Sequence, residues 1–592
     1  MKKFLAILLA AIMLVSFAAC TKPNENPPAD GTTKYAPPTL TYLSNTSDSH
    51  KAIGEYLQAA LKAAGINMTL QNQEWNTFLE TRKNGEYSVA RNGWVADYND
   101  PICFLDMWTS GSGNNDVQFG KGAHATLKMY NLDLTKYGYD VKVENGTWAE
   151  TYDVLISKIK TCTDNETRYA LMHIAEDMLM ATGCIVPLYY YTDLYMISSN
   201  VKGFYSNPLG YKYFMNTTIE GQDYINVCLA SEPQTLDPAL NSAVDGATML
   251  AHLFSGLAKW SQDASGNLVI VPDIAEELVE PVTNNDGTVT YTYTLKDAKW
   301  SNGDAITAAD FAESWKRAAS AELGADYGYM FEVVKGYADG ELAVEAVDAK
   351  TLKVTLANPV AYWNELLAFP TYYPVHSSNR SDDKGTWATD TDTYICNGPY
   401  TMTSWEHNSI IVLEKNANYH GVADVKMNKV NCYLSDDSNA MLTNFKKGDW
   451  QLIDDVPTNE IANLKTNNAD EFKIVGQIGT YYVCWNINEN LLPESGLTGV
   501  ELEKAQQEIR NAIGLLFDRN YIVNDIAQGG QVPASSFVAM GMTDADGSEF
   551  YKNSGDSADY DGYYDVSADA QESNWTKAME VLTKYYNLEV AE

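Results

Sequence analysis

Residue types that do chemistry are present in this chain, but not in arrangements that react. The seven histidines (His50, His124, His173, His252, His376, His407, His420) are isolated from one another. There is no HExxH, no GxSxG elbow and no phosphate-cradling glycine loop. Past Cys20 the cysteines are Cys103, Cys162, Cys184, Cys228, Cys396, Cys432 and Cys484, scattered singly with no zinc-ligand spacing. Most are expected to be buried reduced thiols, although an odd number leaves a free thiol or an intermolecular bond open. Asp544-Ala545-Asp546-Gly547 and Asp559-Tyr560-Asp561-Gly562 hold only fragments of a calcium-loop pattern, so Asp544 to Ala570 reads as a solvated loop. No catalytic set, metal site or cofactor is expected. One segment stands out, Arg91-Asn92-Gly93-Trp94-Val95-Ala96-Asp97-Tyr98-Asn99-Asp100-Pro101. It sets one carboxylate, Asp97, among small and aromatic residues just after a strand. Taken alone, Asp97 reads as a turn or cap residue and Trp94 as core.

Strands and helices in alternation must position that segment. Leu40 to Leu43 is a short strand, Thr46, Ser47 and Asp48 offer helix caps, and Ile53, Leu57, Ala60, Leu61 and Ala64 recur at helical spacing until Gly65. Ile66 to Leu70 alternates like a strand and completes a β-α-β unit. Thr167 to Met180 reads as helix and Ile185 to Tyr191 as strand. A new block opens at Ile225 to Leu229, with strands at Thr288 to Leu295 and Thr351 to Leu356. Helices are expected at Ala308 to Arg317 and Trp575 to Tyr586. The mixture implies α/β lobes. Met215 to Asp223 is the weakest-patterned stretch between the two blocks.

The chain has 592 residues, 45% hydrophobic, with 41 basic against 78 acidic residues and a net charge of −37. That is enough apolar content for a sizeable core in two or three lobes. So acidic a surface repels phosphate backbones, which makes nucleic acid a poor partner. Met1-Lys2-Lys3, the apolar run Phe4 to Phe17, and Ala18-Ala19-Cys20 resemble a bacterial lipoprotein signal, with Phe17 where Leu is usual. Lipidated Cys20 followed by the proline-spaced tether Thr21 to Pro38 is then expected. No later apolar segment is long enough to be a transmembrane helix.

The Asp97 segment is similar to the signature of the oligopeptide-binding proteins of bacterial ABC importers, the family-5 solute-binding proteins. Tyr42 to His50, Asn72-Gln73-Glu74-Trp75, Phe78 to Arg82 and Ile185 to Tyr190 resemble the same family. So do Ser231-Glu232-Pro233-Gln234-Thr235-Leu236-Asp237-Pro238, Ala298 to Asp304 with Thr307, Asp310 and Phe311, Asn397-Gly398-Pro399-Tyr400 and Leu413 to Asn416. The resemblance covers nearly all of Thr39 to about Leu588. The block order departs from it, since Ile225 to Leu588 should precede Thr39 to Tyr213. The chain thus resembles a circular permutation with its old ends joined through residues 215–223.

The resemblance implies a periplasmic-binding-protein-like two-lobed clam of type II, cluster C-like, with an additional third lobe. It divides the chain into a signal at 1–19, lipidated Cys20 and tether at 20–38, a C-terminal-type lobe at 39–190, and a hinge-bearing lobe at 191–245. The additional lobe at 246–390 follows, then the rest of the hinge-bearing lobe at 391–478 and of the C-terminal-type lobe at 479–592. The implied protein is a monomeric, non-enzymatic receptor, lipid-anchored on the outer face of the cytoplasmic membrane, that passes oligopeptides to an ABC permease. By resemblance Asp97 grips the peptide ammonium, Gly93, Trp94 and Val95 form the strand and pocket wall, and Arg82, Arg91 and His50 are cations for the peptide carboxylate. Some members carry a cysteine at the place of Val95, bridged to the Tyr481-Tyr482 strand; no such bridge can form here, and Trp485 to Asn490 offers no lysine. Family members for sugars, metal chelates, haem or signalling peptides are the alternative, and a secreted peptidase the alternative of another class.

Overall fold

The computed structural model describes residues 33–381 and 385–589, so the export signal, Cys20 and the tether up to residue 32 lie outside the described residues. Eleven strands make one mixed sheet. In chain order they are β1 (Leu40–Asn45), β2 (Met68–Gln73), β3 (Val89–Val95), β4 (Ile185–Ile197), β5 (Tyr224–Leu229), β6 (Tyr400–Glu406), β7 (Ile410–Lys415), β8 (Lys429–Leu434), β9 (Leu452–Ile453), β10 (Phe472–Trp485) and β11 (Val532–Pro533). Across the sheet the order is β6-β7-β8-β5-β9-β4-β10-β3-β1-β2, with β11 on β4. The helices that bear on it are α1 (Asp48–Ala63), α2 (Trp75–Lys83), α3 (Asn165–Ala181), α4 (Val244–Leu253), α5 (Ala308–Ala318), α6 (Gly499–Leu515) and α7 (Gln571–Tyr585).

The β1-α1-β2 unit forms as its pattern dictates. Ile53, Leu57, Ala60 and Leu61 are buried on one face of α1, and β1 and β2 pair in parallel, Leu40 opposite Met68. Gly65 ends the turn at φ +83°, a conformation that favours glycine. The backbone N–H of Ile66 closes back on Leu61 O at 2.9 Å, so the second strand starts at Met68, two residues later than its alternation suggests. A separate four-stranded antiparallel sheet is built from residues 282–356. Beside it α5 opens with a capping box in which Thr307 N donates to Asp310 Oδ2 at 2.9 Å.

One expectation about a loop needs correction. Asp544 to Ala570 is more than a solvated loop, because Phe550 and Tyr564 are buried in it and Phe550 stacks on His173 of α3 at 4.0 Å. Residues 215–223 are pinned by bridges of Lys202 with Thr218 and of Ile219 with Gln222.

The central strand β10 joins distant parts of the chain. It pairs antiparallel with β3, Tyr481 opposite Gly93, and with β4, Cys484 opposite Ile185. The β4–β10 register shifts between Gly476 and Thr480, the natural place for the sheet to bend. The two ends of the described chain also meet. Tyr35 N donates to Tyr585 O at 2.9 Å, Asn587 N donates to Tyr35 O at 2.8 Å, and Tyr586 is buried beneath them. Cysteines placed at Lys34 and Asn587, in a Cys162→Ser background, should therefore be joined by a short bis-maleimide in the native protein and not after denaturation. A native chain that resists cross-linking would contradict this adjacency.

Candidate functional site

A cavity of about 260 Å³ opens beside β3 and is walled by α2, the start of α4, and the segment carrying Tyr327 and Phe369. Six of the residues expected from sequence line it: Arg82, Arg91, Gly93, Trp94, Val95 and Asp97. Helix α2 is capped by the Glu74 carboxylate, which accepts from Asn76 N at 3.1 Å and Thr77 N at 3.3 Å. It then presents Trp75, Leu79, Arg82 and Lys83 to the cavity, positions that share one helical face. Gly93 is required by a close approach: a Cβ there would lie 2.1 Å from the Tyr191 hydroxyl.

The residues after β3 hold Asp97 in place. Trp94 Nε1 donates to Cys103 O at 3.1 Å, and Asp97 N donates to Cys103 Sγ at 3.1 Å. Asp100 accepts from Ile102 N at 3.1 Å to start the next turn, and binds both terminal nitrogens of Arg168 at 2.8 Å. Tyr98 stacks on Tyr362 at 4.4 Å, and Asn99 N donates to Glu365 at 2.7 Å. These contacts tie the segment to the region that also supplies Tyr327.

Asp97 itself is 9% exposed. Its Oδ1 accepts from the Tyr327 hydroxyl at 3.0 Å and its Oδ2 faces the Cys103 thiol at 3.7 Å, but it forms no ion pair among the described residues. Burial, with the nearby Asp106 carboxylate adding to it, pushes its pKa well above the ordinary carboxylate value. The cavity therefore holds a carboxylate that lacks a cation.

The cations divide sharply. Arg82 Nε lies 2.7 Å from Asp116 Oδ2, so Arg82 is already paired. Lys83 is bound by Asp326 and donates to Ser242 Oγ at 2.8 Å. Arg91 forms no ion pair among the described residues; its guanidinium lies over the rings of Tyr481 at 5.5 Å and Trp75 at 5.7 Å. His50 is not among the lining residues. It packs on Tyr481 at 5.5 Å, and burial followed by the charge of Arg91 pushes its pKa well below the ordinary value. His50 thus lies outside this lining, and its lowered pKa disfavours the cationic form expected of it.

Sequence reasoning misses Tyr327, Phe369, Tyr191, Asp245 and Asp454 in this lining. No local pattern marks them, because only the tertiary fold brings them to β3.

The profile of the bacterial extracellular solute-binding proteins, family 5 middle region, matches residues 22–116 and 269–585. Among curated relatives, the oligopeptide-binding protein OppA of Bacillus subtilis is 32% identical over 338 residues, 55% of this chain and 58% of that protein. The periplasmic oligopeptide-binding protein OppA of Escherichia coli is 30% identical over 319 residues, 52% of this chain and 55% of that one. The chain thus spans less than two thirds of the length of these relatives. Among solved structures, the murein tripeptide binding protein MppA of Escherichia coli superposes with a TM-score of 0.50 at 23% identity, covering 61% of this chain and 66% of that one. That likeness identifies the α/β fold as the type II periplasmic-binding-protein fold. With the profile matched along both the Asp97 segment and the long second stretch, the chain belongs to the bacterial extracellular solute-binding proteins of family 5.

Proposed function

We propose that this protein is a lipid-anchored receptor that encloses a short peptide and passes it to the permease of an ABC importer. The observation that carries the reading is a pair of unmatched charges in one cavity, the Asp97 carboxylate and the Arg91 guanidinium. They stand six residues apart in sequence, on β3 and the segment that continues it. A peptide with free termini is a zwitterion of complementary sign and extended shape. Its ammonium replaces the missing cation at Asp97, its carboxylate meets Arg91, and its backbone runs beside Gly93 and Val95 with Trp94 as a side-chain wall. Arg82 is already held by Asp116, which leaves Arg91 to meet the carboxylate. The names of the two OppA relatives support the peptide assignment.

The lobe limits, the permuted order, attachment through Cys20 and the monomeric state belong to the same proposal. The adjacency of Tyr35 and Tyr586, and relatives that align over little more than half of the chain, support the permuted order.

Charge burial gives closure its ligand dependence. Closing the empty cleft buries an unpaired carboxylate, which costs free energy; closing it on an ammonium removes that cost. Calorimetry on ligand-stripped protein should show that N-acetylation weakens a tripeptide by about 30-fold to several thousand-fold, the equivalent of about 2–5 kcal/mol for one buried charged contact. Equal affinity for the free and acetylated forms would remove Asp97 from the role. The second test is the shape of the empty protein. Because Asp97 has a raised pKa, its charge is present at high pH and lost as pH falls through that value. Small-angle scattering of the empty wild type should therefore show compaction as the pH is lowered, and Asp97→Asn should be compact throughout the same titration. An empty variant as open as wild type at pH 8 would contradict the mechanism.

A further inference from the structure

The charges lining the cavity do not cancel against a simple zwitterion. Seven charged side chains line it: Arg82, Lys83, Arg91, Asp97, Asp116, Asp245 and Asp454. Four are matched inside the protein. Arg82 pairs with Asp116 at 2.7 Å, Lys83 with Asp326, and Asp454 with Lys212 at 2.6 Å, itself 2.9 Å from Asp193. Arg91, Asp97 and Asp245 remain. If a peptide's two ends satisfy Arg91 and Asp97, one negative charge is left over.

That charge is Asp245, in the first turn of α4. Its Oδ2 accepts from Ser231 Oγ at 3.0 Å, and no lysine, arginine or histidine forms an ion pair with it among the described residues. The position near a helix N-terminus eases the charge by a fraction of what a buried cation would supply. Burial nonetheless raises its pKa above the ordinary value. The matched neighbour Asp454 contributes a second carboxylate, close enough that the charge of Asp245 helps to raise its pKa. The same cavity also presents two buried atoms with no hydrogen-bond partner, Asn114 Nδ2 and Asp116 Oδ1, on residues 5% exposed. A polar ligand is what such a lining lacks.

We propose that Asp245 is a specificity-determining residue that selects peptides carrying a lysine or arginine side chain. The inference rests on the peptide reading above. It assigns to the site a preference that backbone-directed binding alone would not give, because a peptide main chain is the same for every sequence. An aliphatic side chain placed against Asp245 would leave the carboxylate without a cation, and an acidic one would add repulsion.

The test is calorimetry on the ligand-stripped chain with three sets of tripeptides, in which lysine, norleucine or glutamate is placed in turn at each position of an alanine background. At one position at least, lysine should bind tenfold or more tighter than norleucine, and glutamate tenfold or more weaker. Asp245→Asn should bring the lysine and norleucine peptides together. The wild-type comparison stands even if the variant folds poorly. Peptides that bind with lysine and norleucine equivalent at all three positions would overturn the role of Asp245 and leave the peptide reading intact. Failure of every tripeptide to bind would remove the peptide reading, and this inference with it.

Discussion

Everything in this protein depends on where β10 lies. It is flanked by β3 on one side and β4 on the other, so it fixes the strand that carries the site against the strand that leads out of that half of the sheet. Tyr481, Tyr482, Val483, Cys484 and Trp485 are each no more than 1% exposed, a fully buried stretch of the kind that central strands require. The side chain of Tyr481 then serves the site from beneath, as the ring on which both Arg91 and His50 rest. If β10 slipped by one residue, the ring would turn to the other face and Arg91 would lose its support.

On that frame the protein separates charges into those it satisfies itself and those it leaves open. Asp100 with Arg168, Arg82 with Asp116, and Lys160 between Asp106 and Glu332 are closed pairs, buried and geometrically matched. They stiffen the walls and take no part in selecting what enters. Among the described residues Asp97, Arg91 and Asp245 have no ionic partners, which is costly in a folded protein unless a partner arrives. A binding protein can carry that cost because its open form hydrates the same groups. The hydrogen bond from Tyr327 to Asp97 holds the carboxylate in position without neutralising it.

How far the sequence reveals this depends on whether the signal is local. The Asp97 segment is legible because glycine, tryptophan and aspartate crowd within a few residues, and because α1 and β2 follow plain periodicities. Tyr327 and Asp245 carry no such mark; each matters through a wall assembled from distant segments. The resemblance cannot show that His50 packs on Tyr481 beside Arg91 and outside the lining, because only the tertiary fold places it there. The stretch from Asp544 to Ala570 misleads for a related reason. Its Asp, Gly and Ser content suggests solvent, while Phe550 and Tyr564 anchor it to the protein interior.

The proposed permuted order raises the question of what it costs to close β10 between strands so far away in sequence. β3 and β10 are separated by roughly 380 residues here, against roughly 150 if the two blocks were exchanged through the adjacent ends, and loop closure at (3/2)RT ln n makes that difference less than about 1 kcal/mol. The separation of β4 from β10 is nearly the same in either order. Against this stands the burial of two tyrosines and a tryptophan on β10, each contributing on the order of 2 kcal/mol or more. The order of the blocks is therefore close to neutral for stability. What fixes the fold is the register of β10 with β3 and β4, and that register is indifferent to which block the chain enters first.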